Sequence, residues 1–527
     1  MNFVPGERQE VESEISDAAA ATTGKSVARG GAWLLFARFV PQLQVLIVSV
    51  VAAHYLGPEL MGRQSFISFV VSSVVILATA GLPGGLNRFV AELQGARLGG
   101  VAKSLFWWTW RIEALMATLA AIGIGLAALA GAEPQVAWIF AALACAFSVM
   151  QTVPAALLVG MQRWRAATIA GLTTGVLSIP ATIGVLAAGG GITGFFVVEA
   201  AMVLFNLVWI AFLGRRALVD LPPREEVPDK YRRDFLRFAG ATTLFSVIEL
   251  VVWKRSEFVF LAAYSSDAQI ALYSIAFAAT NALTRMPEVI TAVTMPAVAT
   301  LAGAGQYDRI RSGYWRGLRM LILVTPVVAF GAAALGPEAL EAIYGSDYSG
   351  VRPVFLILMA PLLVMPLLSM TQAVLYALGK LRFLIIVGFA ATAVNIALAF
   401  VLISAYDAVG AALSNAGAQL AAGIPGLIYV GRMLGPVGVS FGGVLRSLAT
   451  AGLMGGAAFG ALALVGGVPG VLVGLVVGGV ALLAAGRTLK PLTAGDAEWV
   501  EGLGEHPLLG VAARWFSPSQ PRSEGIA

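Results

Sequence analysis

The sequence predicts an all-α integral membrane protein of about fourteen transmembrane helices, arranged as two six-helix lobes in a parallel internal repeat with two more helices at the C-terminus. Three observations carry this. Apolar segments recur from Ala28 to Gly486, most close to the twenty or so residues that cross a hydrocarbon core about 30 Å thick. Of 527 residues, 58% are hydrophobic and 12% charged, with a mean hydropathy of +0.85, which leaves too little polar surface to cover a water-exposed particle. Basic residues, finally, crowd into alternate loops.

Taken in order, the spans are predicted near 28–54, 63–87, 104–130, 135–160, 166–189, 191–213 and 236–263, then 270–300, 318–335, 353–378, 383–404, 408–431, 446–466 and 470–486. The 60 glycines and 24 prolines are compatible with this, because neighbouring helices satisfy the backbone groups that such residues free. Lys25, Arg88, Lys103, Arg163, Arg216, Arg233, Arg311, Lys380, Arg432 and Arg487 fall on one side. The other side carries Arg63 and Arg352 among Glu59, Glu133, Asp267, Glu341 and Asp407. Lys and Arg near span ends mark the cytoplasmic side, so both termini are expected in the cytoplasm, in a multi-pass protein of a bacterial inner (plasma) membrane. The net charge of +5 is thus read as topology and predicts no nucleic-acid partner.

Glu7, Glu10, Glu12, Glu14 and Asp17 make the first residues unlike a cleaved signal peptide, and 1–27 is expected to be a cytoplasmic tail. The longest connection, 214–235, is basic and contains prolines; it is expected to be a cytoplasmic linker between an N-lobe (28–213) and a C-lobe (236–431). Spans 13 and 14 (446–486) and a cytoplasmic tail (487–527) lie outside the repeat, with Trp499 and Trp515 expected in packing or partner contacts. The repeat is visible in the residues. AAHYLGPELMGRQSFIS (52–68) aligns with LAAYSSDAQIALYSIAF (261–277) at an offset of 209, placing Tyr55 on Tyr264 and Ser65 on Ser274. ALLVGMQRWRAATIAG aligns with AVLYALGKLRFLIIVG at an offset of 217, placing Arg165 on Arg382. Both pairs fall at equivalent topological places.

The segment VVAAHYLGPELMGRQSFISFVV, the stretch VVWKRSEFVFLAAYSSDAQIALYSIAFAAT and the connection LLVGMQRWRAATIAG resemble the opening hairpin, the seventh and eighth spans and the fourth-to-fifth loop of the Wzx-like polysaccharide flippases. These belong to the multidrug/oligosaccharidyl-lipid/polysaccharide exporter superfamily. The resemblance implies a transporter, not an enzyme. It would move an undecaprenyl-diphosphate-linked oligosaccharide from the inner to the outer leaflet for lipopolysaccharide O-antigen, capsule or exopolysaccharide assembly. Its partners would be that lipid, the inner-membrane lipids and polysaccharide polymerase or export machinery.

An ionisable residue inside a span costs about 2.5–3.5 kcal/mol on insertion scales and is a functional candidate by default. Arg38 lies in the first span, with Gln42 and Ser49 on its helical face. Ser274, Asn281, Arg285 and Glu288 form a stripe in the eighth, and Thr242, Ser246, Glu249, Trp253 and Ser256 another in the seventh. A guanidinium pairs with phosphate at two points and stays charged when partly dehydrated, so Arg38 and Arg285, helped by Gln42 and Asn281, are expected to bind a diphosphate. Arg63 and Arg255 are further possible ligands. Arg285 is equally open to pairing with Glu288, and Arg255 to a network with Lys254 and Glu257. Glu249 and Glu288 are the candidates for ion coupling, and a structural hydrogen bond is the other reading of Glu249. Glu199 and Asn206 either line a cavity or join helices, and joining is favoured. Arg111 and Glu113 are expected at the membrane interface.

Other classes fit less well. The one cysteine, Cys145, allows neither an internal disulfide nor a thiolate cluster, and His54 and His506 alone are a poor basis for metal chemistry; no cofactor or metal is expected. No strand precedes the Gly-rich tracts near the C-terminus and no Walker lysine follows, so they are read as close helix packing. A cation-coupled multidrug exporter and a lipid-linked peptidoglycan precursor flippase of the same superfamily remain rivals.

Overall fold

The computed structural model describes residues 43–253, 256–292, 294–303, 305–435, 438–503 and 514–518, and every regular element among them is helical. Nine of these helices are long and apolar enough to cross a membrane, or ten if one bent pair is a single span. Fourteen spans therefore remains a count made on the sequence. Two helices hold two expected spans each. Helix α1 (Leu43–Thr79) breaks at Gly57, whose φ of 73° falls within the Leu-Gly-Pro-Glu turn where a boundary was expected.

After α1 the expected second span does not run through to residue 87. Ala80 and Gly81 adopt φ of 44° and 66°, and α2 (Leu82–Gly95) starts afresh with Pro83 in its first turn, where the missing N–H costs no hydrogen bond. Helices α3 (Gly99–Leu129), α5 (Trp164–Ala187) and α6 (Gly191–Val219) join α2 around a central α4 (Gln135–Gly160). The connection expected over 214–235 is shorter than that. α6 continues to Val219 and α7 (Asp229–Trp253) begins at Asp229, leaving 220–228, where Pro222, Pro223 and Pro228 oppose helix formation.

The seventh expected span holds α7 and α8 (Glu257–Tyr264), with a turn at Ser256 before α8, and the eighth is covered by the helical segments α9 (Asp267–Ala292) and α10 (Thr294–Gly303). Helix α11 (Tyr307–Tyr344) outruns its expected span at both ends. α12 (Val351–Leu362) and α13 (Met365–Ala377) meet at 40°, with Pro361 in the last turn of one and Pro366 in the first turn of the other. α14 (Leu381–Leu434) breaks at Asp407 (φ 48°), between the two spans expected there. α15 (Phe441–Val465) and α16 (Gly467–Leu489) pack on each other and on α11. Buried Gly470, Gly474 and Gly478 recur every fourth residue; a β-carbon on Gly474 would lie 2.9 Å from the Ala458 carbonyl oxygen, so the expected close packing of the last two helices depends on their small size. Leu475, Val476 and Val480 of α16 face outward at 60–68% exposure, as a lipid-solvated helix requires.

Glu113 corrects the sequence reading. It is fully buried, accepting from the Thr152 hydroxyl and, at 3.1 Å, from the Val153 N–H. Nearby, Pro154 inside α4 cannot donate to the Met150 carbonyl four residues back. Trp110 Nε1 donates to that carbonyl instead, at 3.3 Å. Two side chains of α3 thus satisfy the polar groups around a proline in a neighbouring helix, where no water is available to do so.

The C-terminal segment docks on the bundle. Arg319 of α11 donates from Nε to both carboxylate oxygens of Asp496, at 2.9 and 3.0 Å, in the first turn of α17 (Ala494–Leu503). Thr493 caps the same carboxylate through its hydroxyl and N–H. Burial works to raise the Asp496 carboxyl, but the hydrogen bonds from Arg319 and Thr493 and the Arg319 charge outweigh it and hold the group below the usual carboxylate range. Trp515 Nε1 donates to the Leu483 carbonyl at 2.9 Å, with the Arg487 guanidinium 4.4 Å from its ring centroid.

Candidate functional site

Inside the bundle, α1, α4, α5 and α6 enclose a partly open chamber of about 370 Å³, which α9 touches from the second half of the chain. Its walls carry amides and hydroxyls on otherwise apolar helices, so each helix contributes only a few polar groups and the polarity is collective. Gln44 Nε2 donates to Ser178 Oγ at 3.0 Å, joining α1 to α5. Asn206 Nδ2 donates to Gln151 Oε1 at 2.7 Å and Asn206 Oδ1 accepts from Thr174 Oγ1 at 3.3 Å, joining α6 to α4 and α5. Gln64 donates to Ser68 at 2.9 Å along α1. Phe195, Val198 and Met202 supply an apolar wall.

Glu199 is the one ionisable side chain among the described lining residues, and its Oε2 is buried with no hydrogen-bond partner among the described residues. The sequence reading favoured helix joining for Glu199 and Asn206. Both line the chamber; Asn206 does join helices, and Glu199 does so through no hydrogen bond described here. Ser49 and Ser274, members of the expected polar stripes, also reach the chamber. Gln44, Gln64, Gln151, Thr174 and Ser178 were not singled out from the sequence. Their only signal was a polar residue in an apolar span, which many helix-joining residues share.

The chamber ends at a seam between the two halves of the chain. Ser65 and Ser274 hydrogen-bond there at 3.0 Å, both buried. Arg63 reaches Asp267 at 3.0 Å through both Nε and Nη2. A β-carbon on Gly62 would fall 1.6 Å from the Asp267 carbonyl oxygen, so only glycine lets α9 approach this closely. Tyr344 and Tyr348 donate to Ser49 Oγ and the Ala53 carbonyl at 3.2 and 3.0 Å.

The residues expected to bind diphosphate divide accordingly. Arg38, Gln42 and Arg255 lie outside the described residues, as do the side chains of Arg285, Glu249 and Glu288. Arg63 is engaged by Asp267, and Asn281 Nδ2 donates to the Phe277 carbonyl of its own helix at 3.0 Å. No basic side chain lines the chamber among the described residues. Glu257 is fully buried away from the chamber lining and accepts from Asn395 at 2.8 Å, Asn415 at 3.0 Å and Tyr273 at 2.9 Å, tying α8 and α9 to both halves of α14. Among the described residues no cluster of three His, Cys, Asp or Glu side chains offers a metal site.

Comparison with solved structures places this arrangement. The chain superposes on the lipid II flippase MurJ in an inward closed conformation with a TM-score of 0.66, at 13% identity over 86% of this chain and 97% of that one. It superposes on an inward-facing multidrug resistance MATE family transporter of the MOP superfamily with a TM-score of 0.63 (17% identity, 75% and 94% covered). The value for an outward-facing structure of that kind is 0.55 (17% identity, 79% and 97% covered). At such identities the likeness is one of fold. Comparison with curated proteins finds no match. A family model described as "Polysaccharide biosynthesis protein" matches residues 50–353, more than half of the sequence. The chain therefore belongs to the polysaccharide biosynthesis protein family, and its fold is that of the flippase and MATE transporter structures on which it superposes.

Proposed function

We propose that this protein is a flippase that carries undecaprenyl-diphosphate-linked oligosaccharide across the inner membrane for O-antigen, capsule or exopolysaccharide assembly. The observation that supports it most directly is the polar chamber among lipid-solvated helices, in a member of a polysaccharide biosynthesis family. A headgroup rich in hydroxyls needs such an interior to cross, while its polyprenyl chain stays in lipid.

Two lobes, 28–213 and 236–431, rock about the seam. The closed end holds the turns with Glu59 and Asp267, which the basic-residue pattern assigns to the outer face, with both termini cytoplasmic. Opening toward that face breaks Ser65–Ser274 and Arg63–Asp267; the better superposition on an inward-facing than on an outward-facing relative accords with this closed outer seam. Arg38 and Arg285 hold the diphosphate, with Gln42 and Asn281 beside them. Arg63 in this scheme is a gate residue first, and Arg255 a further ligand. With the inside negative, outward movement of each negative charge gains about 2.3 kcal/mol per 100 mV, so the potential can drive transport; Glu249, with Glu288, is the alternative route for ion coupling.

The test is flipping of labelled undecaprenyl-diphosphate oligosaccharide in proteoliposomes. Wild type is expected to be active, and folded Arg38→Ala and Arg285→Ala variants inactive. A wild type that moves no lipid-linked sugar but extrudes amphipathic cations would make this a drug exporter; one that moves only the peptidoglycan precursor would make it a precursor flippase. Activity of Glu249→Gln that ignores collapsed proton and sodium gradients would remove ion coupling at that residue.

A further inference from the structure

We propose that the chamber walled by α1, α4, α5 and α6 binds the glycosyl part of the substrate, with Glu199 as the residue that selects for it. The inference rests on the flippase reading and adds where the sugar sits and what recognises it.

The chamber's chemistry is that of a hydroxyl-bearing ligand. Gln44, Gln64, Gln151 and Asn206 each carry both donors and an acceptor, and the hydroxyls of Ser68 and Ser178 can act either way. Their mutual hydrogen bonds use only part of that capacity. Among the described residues, Gln151 receives through Oε1 and keeps its amide N–H groups for a ligand, and Gln44 donates through Nε2 and keeps its Oε1. A pyranose offers the same mixture, alternating with C–H faces that suit the wall formed by Phe195, Val198 and Met202. The volume, about 370 Å³, is in the range of small-molecule sites and well above what a dehydrated monovalent cation fills.

Glu199 gives the chamber its direction. A carboxyl group with a buried oxygen that has no partner among the described residues is costly in a membrane interior unless something supplies donors. No basic side chain among the described lining residues does so. Two neighbouring sugar hydroxyls would, as a paired contact to one carboxylate. A diphosphate needs basic partners, which the described lining does not offer, so glycan and diphosphate are recognised at separate places on one substrate. Because Ser65 and Ser274 line the chamber and also form the seam, a sugar lodged there lies against the contact that parts when the outer face opens.

The test compares two fluorescent probes in proteoliposomes of the full-length protein: undecaprenyl diphosphate bearing an N-acetylglucosamine–galactose disaccharide, and undecaprenyl diphosphate without sugar. Wild type is expected to move the glycosylated lipid faster. Glu199→Gln and Gln151→Ala should slow that lipid by about tenfold, the effect of losing one or two ligand hydrogen bonds, and slow the bare lipid much less, with wild-type gel-filtration and melting profiles showing that the variants fold. If wild type flips both lipids alike, or if the variants slow neither lipid or both equally, the chamber does not select sugar and the proposal falls while the flippase reading stands. A Glu199→Gln protein that keeps its sugar preference but loses its response to an imposed proton or sodium gradient would make Glu199 a coupling site and overturn the proposal. Failure of wild type to move either lipid would remove the flippase reading and this inference together.

Discussion

Ser65 and Ser274, the pair that the front ends of the two halves align at an offset of 209, share a buried hydrogen bond 3.0 Å long. Residues related by a two-fold operation touch each other only at its axis, as at an isologous interface. The contact supports an axis through this seam and places the seam at the chamber's edge. Replacing both serines by cysteine in a Cys145→Ala background should give a disulfide under mild oxidation, because hydroxyls this close put the two β-carbons within reach of an S–S bond. Peptide mass spectrometry would identify the bond. Flipping should fall to background when it forms and return on reduction; unchanged transport by the cross-linked protein would mean that this seam does not open.

Gly62 and Arg63 test the closed end of the seam in opposite ways. Gly62→Ala forces α1 and α9 apart, since its new methyl overlaps the Asp267 carbonyl, and should expose Ser65→Cys to a membrane-impermeant thiol reagent. Arg63→Gln, in contrast, removes a partly exposed pair worth about 1 kcal/mol or less. Its melting temperature should hardly move, while the rate of opening changes. The exchange Arg63→Asp with Asp267→Arg should restore the wild-type rate if the pair acts as a gate.

Glu257 and Glu113 are expected to matter for stability. Glu257→Ala leaves donors from Asn395, Asn415 and Tyr273 without their acceptor in a buried site, at about 1–3 kcal/mol for each orphaned group. Glu113→Ala removes the acceptor of the Thr152 hydroxyl and one acceptor of the Val153 N–H. Thermal unfolding in detergent should show a larger loss for Glu257→Ala than for Glu113→Ala, and Glu257→Gln, which keeps an acceptor, should lose less than Glu257→Ala.

Acid should release the C-terminal segment. The folded Asp496 carboxyl lies below its unfolded value, so its contribution is complete above the ordinary aspartate pKa of about 4 and is lost as pH falls through the lower folded value. Limited proteolysis after residue 490 should therefore accelerate on acidification below about pH 4, and Asp496→Asn should show the fast cleavage already at neutral pH. Cleavage that stays slow in Asp496→Asn would mean that Trp515 and its neighbours hold the segment unaided.

Much of the helix pattern was legible because the cues are local. The Leu-Gly-Pro-Glu turn, the break at Asp407 and the glycine-packed final pair appear where hydropathy and turn residues put them. Pro83 was local too, yet its effect was overlooked: an apolar run reads as one span although the proline starts a new helix. Glu113 was misread because its partners, Thr152 and Val153, lie on another helix and need an acceptor there. That need exists only once α3 and α4 are packed.

The sequence by itself determined the solvent, the helical class and the register of the repeat, since in lipid each helix must satisfy its own backbone and present apolar side chains regardless of its neighbours. Tertiary structure alone decided which polar residues face one another. Gln44 meets Ser178 and Asn206 meets Gln151 across 134 and 55 residues. Their joint chamber depends on how four helices are rotated and how closely they approach, and hydropathy along one helix contains no information about either.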